Sequence, residues 1–123
     1  MTVRLVPHAP LTAGVDDEGM PGRSIIDAPG PAWTGLQLME WELNRAEWRD
    51  RHPHDEINYV LAGELHVESD GTTVVAGPGD TVVVAAGSTA TYAAPEHARM
   101  LAIYGPNPDG LESGDFAFRR LDG

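Results

Sequence analysis

From residue 33 onward, short runs rich in Val, Leu, Thr, Tyr and Trp recur along the chain. Clusters of Gly, Pro and Asp separate these runs at intervals of roughly ten residues, and helical periodicity is nearly absent. This spacing predicts an all-β sandwich or barrel, for example a jelly roll of about eight strands. The predicted strands are 35–43, 57–61, 64–69, 72–76, 80–86, 89–93, 99–104 and 116–119.

The clearest local signal is a hairpin centred on Asp70 and Gly71. Segment 64–69 alternates apolar and polar residues, and segment 72–76 is again rich in β-branched residues. An Asp-Gly pair between two such runs is typical of a type I′ turn, in which both central residues take positive φ. The two segments are therefore predicted to be antiparallel neighbours.

The N-terminal quarter of the chain has a different pattern. Residues 1–31 contain five of the ten prolines and show little periodicity of either kind. They predict a short edge strand at 3–6 followed by loop. We expect a single domain, in which residues 1–32 form an arm that packs on a barrel of residues 33–123.

Composition narrows the functional classes. Eight Lys plus Arg against 19 Asp plus Glu give a net charge of −11, which disfavours nucleic-acid and anionic membrane partners. The absence of Cys excludes iron–sulfur clusters, and the absence of both Lys and a P-loop argues against a nucleotide cofactor. No flavin or haem is expected either. The N-terminus shows no apolar run of signal-peptide length, so a cytoplasmic location is expected.

The segment around Pro53 concentrates residues that bind metals. In an extended chain, alternate side chains share a face, so Asp50, His52, His54 and Glu56 would converge. Imidazole and carboxylate without sulfur suit one divalent transition metal such as Fe, Mn, Ni, Co or Zn. The alternative is a solvated charged turn, because Pro53 favours a bend that would break the alternation.

Two segments resemble the motifs of the cupin superfamily. The first is Glu56-Ile-Asn-Tyr-Val-Leu-Ala-Gly63, and the second is Ala76-Gly-Pro-Gly-Asp80-Thr-Val-Val-Val-Ala-Ala-Gly87. The resemblance covers roughly residues 33–106 and implies a jelly-roll barrel, also called a double-stranded β-helix, that usually forms a homodimer.

The resemblance also assigns positions to the metal ligands of cupins. The histidine pair of the first motif falls on Asp50 and His52, its glutamate on Glu56, and the histidine of the second motif on Ala90. His54 is an additional histidine. The implied metal site therefore departs from the four usual ligands, with Asp50 or His54 as substitutes.

A narrower resemblance is to the EutQ-like cupins of ethanolamine utilization. The residues that carry it are Asp55-Glu-Ile, Gly63-Glu-Leu-His66, Gly87-Ser88 and Arg99-Met-Leu101. This family is linked to bacterial ethanolamine catabolism, and its members commonly lack the full set of metal-binding histidines.

Other residues are candidates for contact with a bound molecule. Met39 and Trp41 share a face of one predicted strand, and Tyr92 has the parity of the opposite wall. Asn58 has the parity of Glu56 and is a candidate polar anchor. The same residues also suit plain core filling, which is the commoner use in small barrels.

Three functions fit these observations. The first is binding of a small polar or carboxylated metabolite in the barrel. The second is a metal-dependent enzyme, an oxygenase, isomerase or lyase, using His52, Glu56 and either Asp50 or His54. The third is a structural dimer without catalysis. A metal-free enzyme, with Glu56 or a histidine as its general base, is a further alternative.

Overall fold

The computed structural model describes residues 2–14 and 17–121, and these residues form nine β-strands. All the strand pairings are antiparallel, as predicted for an all-β chain. The strands are β1 (Thr12–Gly14), β2 (Asp17–Ile26), β3 (Gln37–Arg51), β4 (Glu56–Gly63), β5 (Leu65–Ser69), β6 (Thr72–Ala76), β7 (Thr81–Val84), β8 (Thr89–Tyr104) and β9 (Gly114–Arg120).

Two long strands, β3 and β8, pair with each other along almost their whole length. On its other edge, β3 pairs with β2 in its first half and with β9 in its second half. Likewise β8 pairs first with β5 and then with β4. Each long strand therefore contributes to both halves of the barrel.

The two halves meet around a core of mostly small side chains. Trp41 on the first half of β3 contacts Tyr92 on the first half of β8, with ring centroids 5.5 Å apart. Leu43, Val60 and Met100 are fully buried nearby. Because β8 supplies four buried Ala residues to the same core, the strands pack closely here.

A bulge at Arg45 changes which residues of β3 face inward. Arg45 has a φ of +48°, and the β3–β8 register shifts between Asn44 and Ala46. Arg45 stands opposite two residues of β8, and at this irregularity the inward parity of β3 moves by one position. Core-facing residues have odd numbers before the bulge and even numbers after it, as Leu43 and Asp50 illustrate, while the even-numbered Glu40 is buried in ion pairs with Arg23 and Arg99.

The predicted hairpin is confirmed. β5 and β6 pair in the expected register, with Ser69 opposite Thr72. Asp70 and Gly71 have φ values of +51° and +77°, as a type I′ turn requires.

The predicted break between residues 93 and 99 is wrong, because β8 runs through it. Pro95 and Glu96 lie opposite the bulge at Arg45, where β3 offers no ladder partner. A proline is tolerated at such a position since no strand hydrogen bond is lost. His97 therefore lies in β8, within 3.3 Å of a Glu42 carboxylate oxygen.

The edge strand predicted at 3–6 and the loop predicted after it are also wrong. Residues 2–11 lie outside all strands, and Val3 and Leu5 are 79% and 88% exposed. The predicted loop instead contains β2, which pairs with β3 and is tied to it by a 2.9 Å ion pair between Arg23 and Glu40. Its strand structure comes from this pairing and not from its own Gly- and Pro-containing sequence.

Within the described part of the chain, no helix has the length and apolar character needed to cross a membrane.

Candidate metal centre and cavity

Asp50, His52 and Glu56 converge at one end of the barrel. One ligand atom from each lies within 4.8 Å of the other two. His52 Nε2 is 2.9 Å from Asp50 Oδ2 and 3.2 Å from Glu56 Oε1. Neither contact has hydrogen-bond geometry, so His52 Nε2 and Glu56 Oε1 are buried polar atoms without a hydrogen-bond partner. Buried polar atoms are normally paired, so this arrangement needs an explanation.

The two carboxylates determine the protonation of His52. Burial of the ring disfavours its charged form, but the adjacent Asp50 and Glu56 outweigh this and raise the pKa of His52 to about 9. Its other nitrogen, Nδ1, lies 2.6 Å from Ser113 Oγ. The two ring nitrogens therefore face different chemical groups.

Each of the two carboxylates accepts a hydrogen bond from a neighbouring side chain. Trp48 Nε1 donates to Asp50 Oδ2 at 2.8 Å. Asn58 Nδ2 donates to Glu56 Oε2 at 2.7 Å, while Trp41 Nε1 donates to Asn58 Oδ1 at 2.8 Å. Asn58 is fully buried, so this chain of bonds fixes the Glu56 carboxylate with Oε1 towards His52.

Ala90 lies directly opposite Asp50 in the β3–β8 ladder and is almost fully buried. The cupin resemblance assigns the fourth histidine to this position. A methyl group there cannot bind a metal, so the cluster contains three donor residues among the described part of the chain.

His54 lies beside the cluster and outside it. Its ring stacks on that of His52 with centroids 4.8 Å apart, and its Nδ1 is 3.0 Å from the Asp55 carbonyl oxygen. Burial lowers the pKa of His54. Pro53 separates the two histidines at a bend after β3, so the strict alternation expected from the sequence ends at His52.

A cavity of about 220 Å³ opens onto the cluster. Its walls combine the three polar residues with aromatic rings and thioethers, and no arginine lies among the described lining residues. They are Met20, Gly22, Met39, Trp41, Trp48, Asp50, His52, Glu56, Tyr104 and Phe116.

Of the four residues predicted to contact a ligand, two line the cavity and two do not. Met39 and Trp41 line the cavity, whereas Asn58 and Tyr92 lie behind its wall. Burial raises the pKa of Tyr92, and the nearby carboxylates of Glu56 and Asp50 add to this effect, so its phenol stays protonated.

Several lining residues were missed from the sequence. Trp48 shares the parity of Asp50, and Tyr104 lies opposite Glu56 in the β4–β8 ladder. Strand parity would have found Trp48 if the predicted strand had extended past Leu43. Phe116 stacks on Trp48 with centroids 5.8 Å apart, a contact that depends on the β3–β9 pairing.

The fold is that of cupin proteins. The chain is similar in structure to an RmlC-like cupin from Shewanella frigidimarina NCIMB 400, with a TM-score of 0.67, 16% identity and coverage of 86% of this chain and 91% of that one. It is also similar to KdgF from Halomonas sp., with a TM-score of 0.66, 21% identity and coverage of 82% and 91%. At these identities the similarity establishes the fold alone.

Residues 26–108 match the profile of the family described as ethanolamine utilisation protein EutQ, and the chain belongs to this family. The EutQ protein of Clostridium difficile is similar to it, with a TM-score of 0.62, 24% identity and coverage of 72% of this chain and 68% of that one. A search of curated proteins found no match. The predicted cupin fold and EutQ-like resemblance are confirmed.

Proposed function

We propose that this protein binds a small metabolite in the barrel cavity, at a divalent transition metal ion held by Asp50, His52 and Glu56. The observation that carries the proposal is the convergence of three ligand atoms, two of which, His52 Nε2 and Glu56 Oε1, are buried and lie 3.2 Å apart without hydrogen-bond geometry. A metal ion would satisfy both of these atoms at once.

The donor set fits such an ion in type and charge. One imidazole and two carboxylates without sulfur suit Fe(II), Mn, Co, Ni or Zn, and the two carboxylates balance a charge of +2. The bonds from Trp48 to Asp50 and from Asn58 to Glu56 orient the donors in advance. Outer hydrogen bonds of this kind accompany metal ligands in known sites.

The cavity defines the class of ligand. Its volume of about 220 Å³ suits a molecule of a few heavy atoms, and its aromatic and thioether walls suit an apolar portion. Arg51 and Arg99 pair with Asp115 and Glu40 and do not line the cavity. A carboxylate or hydroxyl oxygen of the metabolite would therefore bind to the metal ion at coordination positions that the protein leaves open. The metal ion would act as a Lewis acid.

A metal-dependent enzyme is the second candidate. It is favoured by Ala90, because a site with three protein ligands leaves positions at which a substrate can bind. In such an enzyme, Asn58 would hold the Glu56 carboxylate in place, and the stacked rings of Trp48 and Phe116 would form one wall of the substrate cavity.

Metal content of His52→Ala and His54→Ala tests the proposal. The protein is purified without chelators, loaded with Mn²⁺, Co²⁺ or Zn²⁺, desalted and measured by elemental analysis. We expect nearly one metal ion per chain in the wild type and in His54→Ala, and loss of metal from His52→Ala.

The two variants form a matched pair, since both remove a stacked imidazole from the same bend. Equal metal loss in both variants, or a folded wild type that retains none of the three ions, contradicts the proposal. Asp50→Asn is a third arm that keeps the shape of the side chain and removes its charge, and it should weaken metal retention.

A further inference from the structure

Ser113 contacts His52 on the side of the ring that faces away from the carboxylates. Its Oγ lies 2.6 Å from Nδ1, whereas Nε2 faces Asp50 and Glu56. We propose that Ser113 is a positioning residue for the metal centre. Its hydroxyl oxygen accepts a hydrogen bond from the Nδ1–H of His52, so that the Nε2 lone pair is directed at the metal. This inference rests on the proposed function.

The chemistry follows from the single proton of a neutral imidazole. When one ring nitrogen binds a metal, the other carries the proton and needs an acceptor that fixes the orientation of the ring. Ser113 Oγ is the acceptor placed for this role, since the structure gives His52 Nδ1 no other partner among the described residues. The stacked ring of His54 contacts the face of His52 and offers no acceptor in its plane.

A bulge in β9 brings Ser113 into position. β9 pairs with β3 with Arg49 opposite Ala117, but the next pair is Arg51 opposite Gly114, so the register shifts by one residue between them. Continuing that ladder by one step places Ser113 opposite His52. Without the shift, Gly114 would face His52, and glycine has no side chain to accept a hydrogen bond.

The bulge is held at Asp115, which has a φ of +60°. Arg51 Nε donates to Asp115 Oδ2 at 3.1 Å, and Thr89 Oγ1 donates to the same oxygen at 3.3 Å. A non-glycine residue in this conformation is unfavourable by itself, and bulges near functional sites commonly redirect a side chain. The contacts of Asp115 thus hold the turn that aligns Ser113 with His52.

Ser113 also lies outside the segment that identifies the family. The matched residues, 26–108, include the three donor residues but neither Ser113 nor β9. The support of His52 therefore comes from a part of this chain that the family match does not cover.

The test compares the wild type with Ser113→Ala, Ser113→Thr and Ser69→Ala. Zn²⁺ affinity is measured by competition with a chromophoric chelator, and thermal unfolding of the metal-free proteins checks folding. We expect Ser113→Ala to bind Zn²⁺ roughly 10–100-fold more weakly and Ser113→Thr to recover most of the affinity. Ser69→Ala removes a hydroxyl that donates to the Thr89 carbonyl, away from His52, and should leave the affinity unchanged.

A second readout addresses the proton itself. In ¹⁵N NMR spectra of the Zn²⁺-loaded wild type, the Nδ1 proton of His52 should exchange slowly with water, and in Ser113→Ala it should exchange faster. A folded wild type that binds none of Zn²⁺, Co²⁺ and Mn²⁺ contradicts the proposed function. A wild type that binds Zn²⁺ with the same affinity as Ser113→Ala overturns the role of Ser113 alone, as does equal weakening in Ser69→Ala.

Discussion

At the scale of single residues, His52 connects every part of the site. Its Nε2 faces two carboxylates, its Nδ1 faces Ser113, and its ring stacks on His54. The two carboxylates that would share a metal with Nε2 also favour a proton there, and they raise the pKa of His52 to about 9. Metal and proton therefore compete for the same atom.

This competition predicts a pH-dependent metal affinity. Below about pH 9 the metal-free His52 holds a proton on Nε2, and a metal binds only after that proton leaves. The apparent affinity should rise with pH, roughly tenfold per unit for one displaced proton, and level off above the pKa of His52. Zn²⁺ or Co²⁺ titrations against a chelator of known pH dependence measure this slope.

His54→Ala is the control for this slope, because it removes a titrating neighbour and keeps the three donors. Its affinity should follow the same pH dependence as the wild type. An affinity that does not change with pH below the pKa of His52 would show that Nε2 is not a ligand.

The sequence predicted part of this site and missed the rest for definable reasons. Alternation along an extended strand predicted that Asp50, His52, His54 and Glu56 converge, and three of these four residues form the cluster. His54 lies outside the group of donors because the chain bends at Pro53. No sequence signal indicated Ser113. It lies 61 residues after His52 in the chain, and its contact with His52 depends on the register shift between β3 and β9.

At the scale of elements, the bulge in β3 explains how one strand serves the whole cavity. Trp41 precedes the bulge and Trp48 and Asp50 follow it, and all three line the same cavity. Without a change of parity at Arg45, an odd-numbered and an even-numbered residue of one strand would point to opposite faces. The sequence shows the parities of the two segments but not the bulge that joins them.

The junction of β4 and β5 gives a stability prediction. Gly63 has a φ of +78°, and a Cβ added there would lie 2.7 Å from the carbonyl carbon of His97 and 2.9 Å from the Cα of Ala98. Both neighbours are backbone atoms of β8 that cannot move alone. Gly63→Ala should therefore lower the free energy of unfolding by roughly 3–5 kcal/mol, measured by urea denaturation.

Gly71→Ala is the matched control. Gly71 has nearly the same φ, +77°, but nothing lies within 4 Å of an added Cβ. It should cost only the backbone strain of about 1–2 kcal/mol. Equal losses in the two variants would mean that β8 does not pack against Gly63 as described.

At the scale of the whole molecule, the local turns and motifs were more predictable than the pairing of strands that are distant in sequence. The hairpin at Asp70 and the cupin-like motifs depend on local turn residues, which a single sequence displays directly. β2 depends on the edge that β3 offers it, and the continuity of β8 across Pro95 depends on the bulge opposite. Pairing between distant strands has no local signal, so these elements could not be predicted.

The central claim is that Asp50, His52 and Glu56 hold a metal at the cavity. The most direct measurement is an anomalous difference map from crystals grown with Co²⁺ or Mn²⁺, recorded on both sides of the absorption edge of the metal. We expect one dominant peak within coordination distance of Asp50 Oδ2, His52 Nε2 and Glu56 Oε1. A peak bound through His54 or at the protein surface, with no density between these three atoms, would contradict the account.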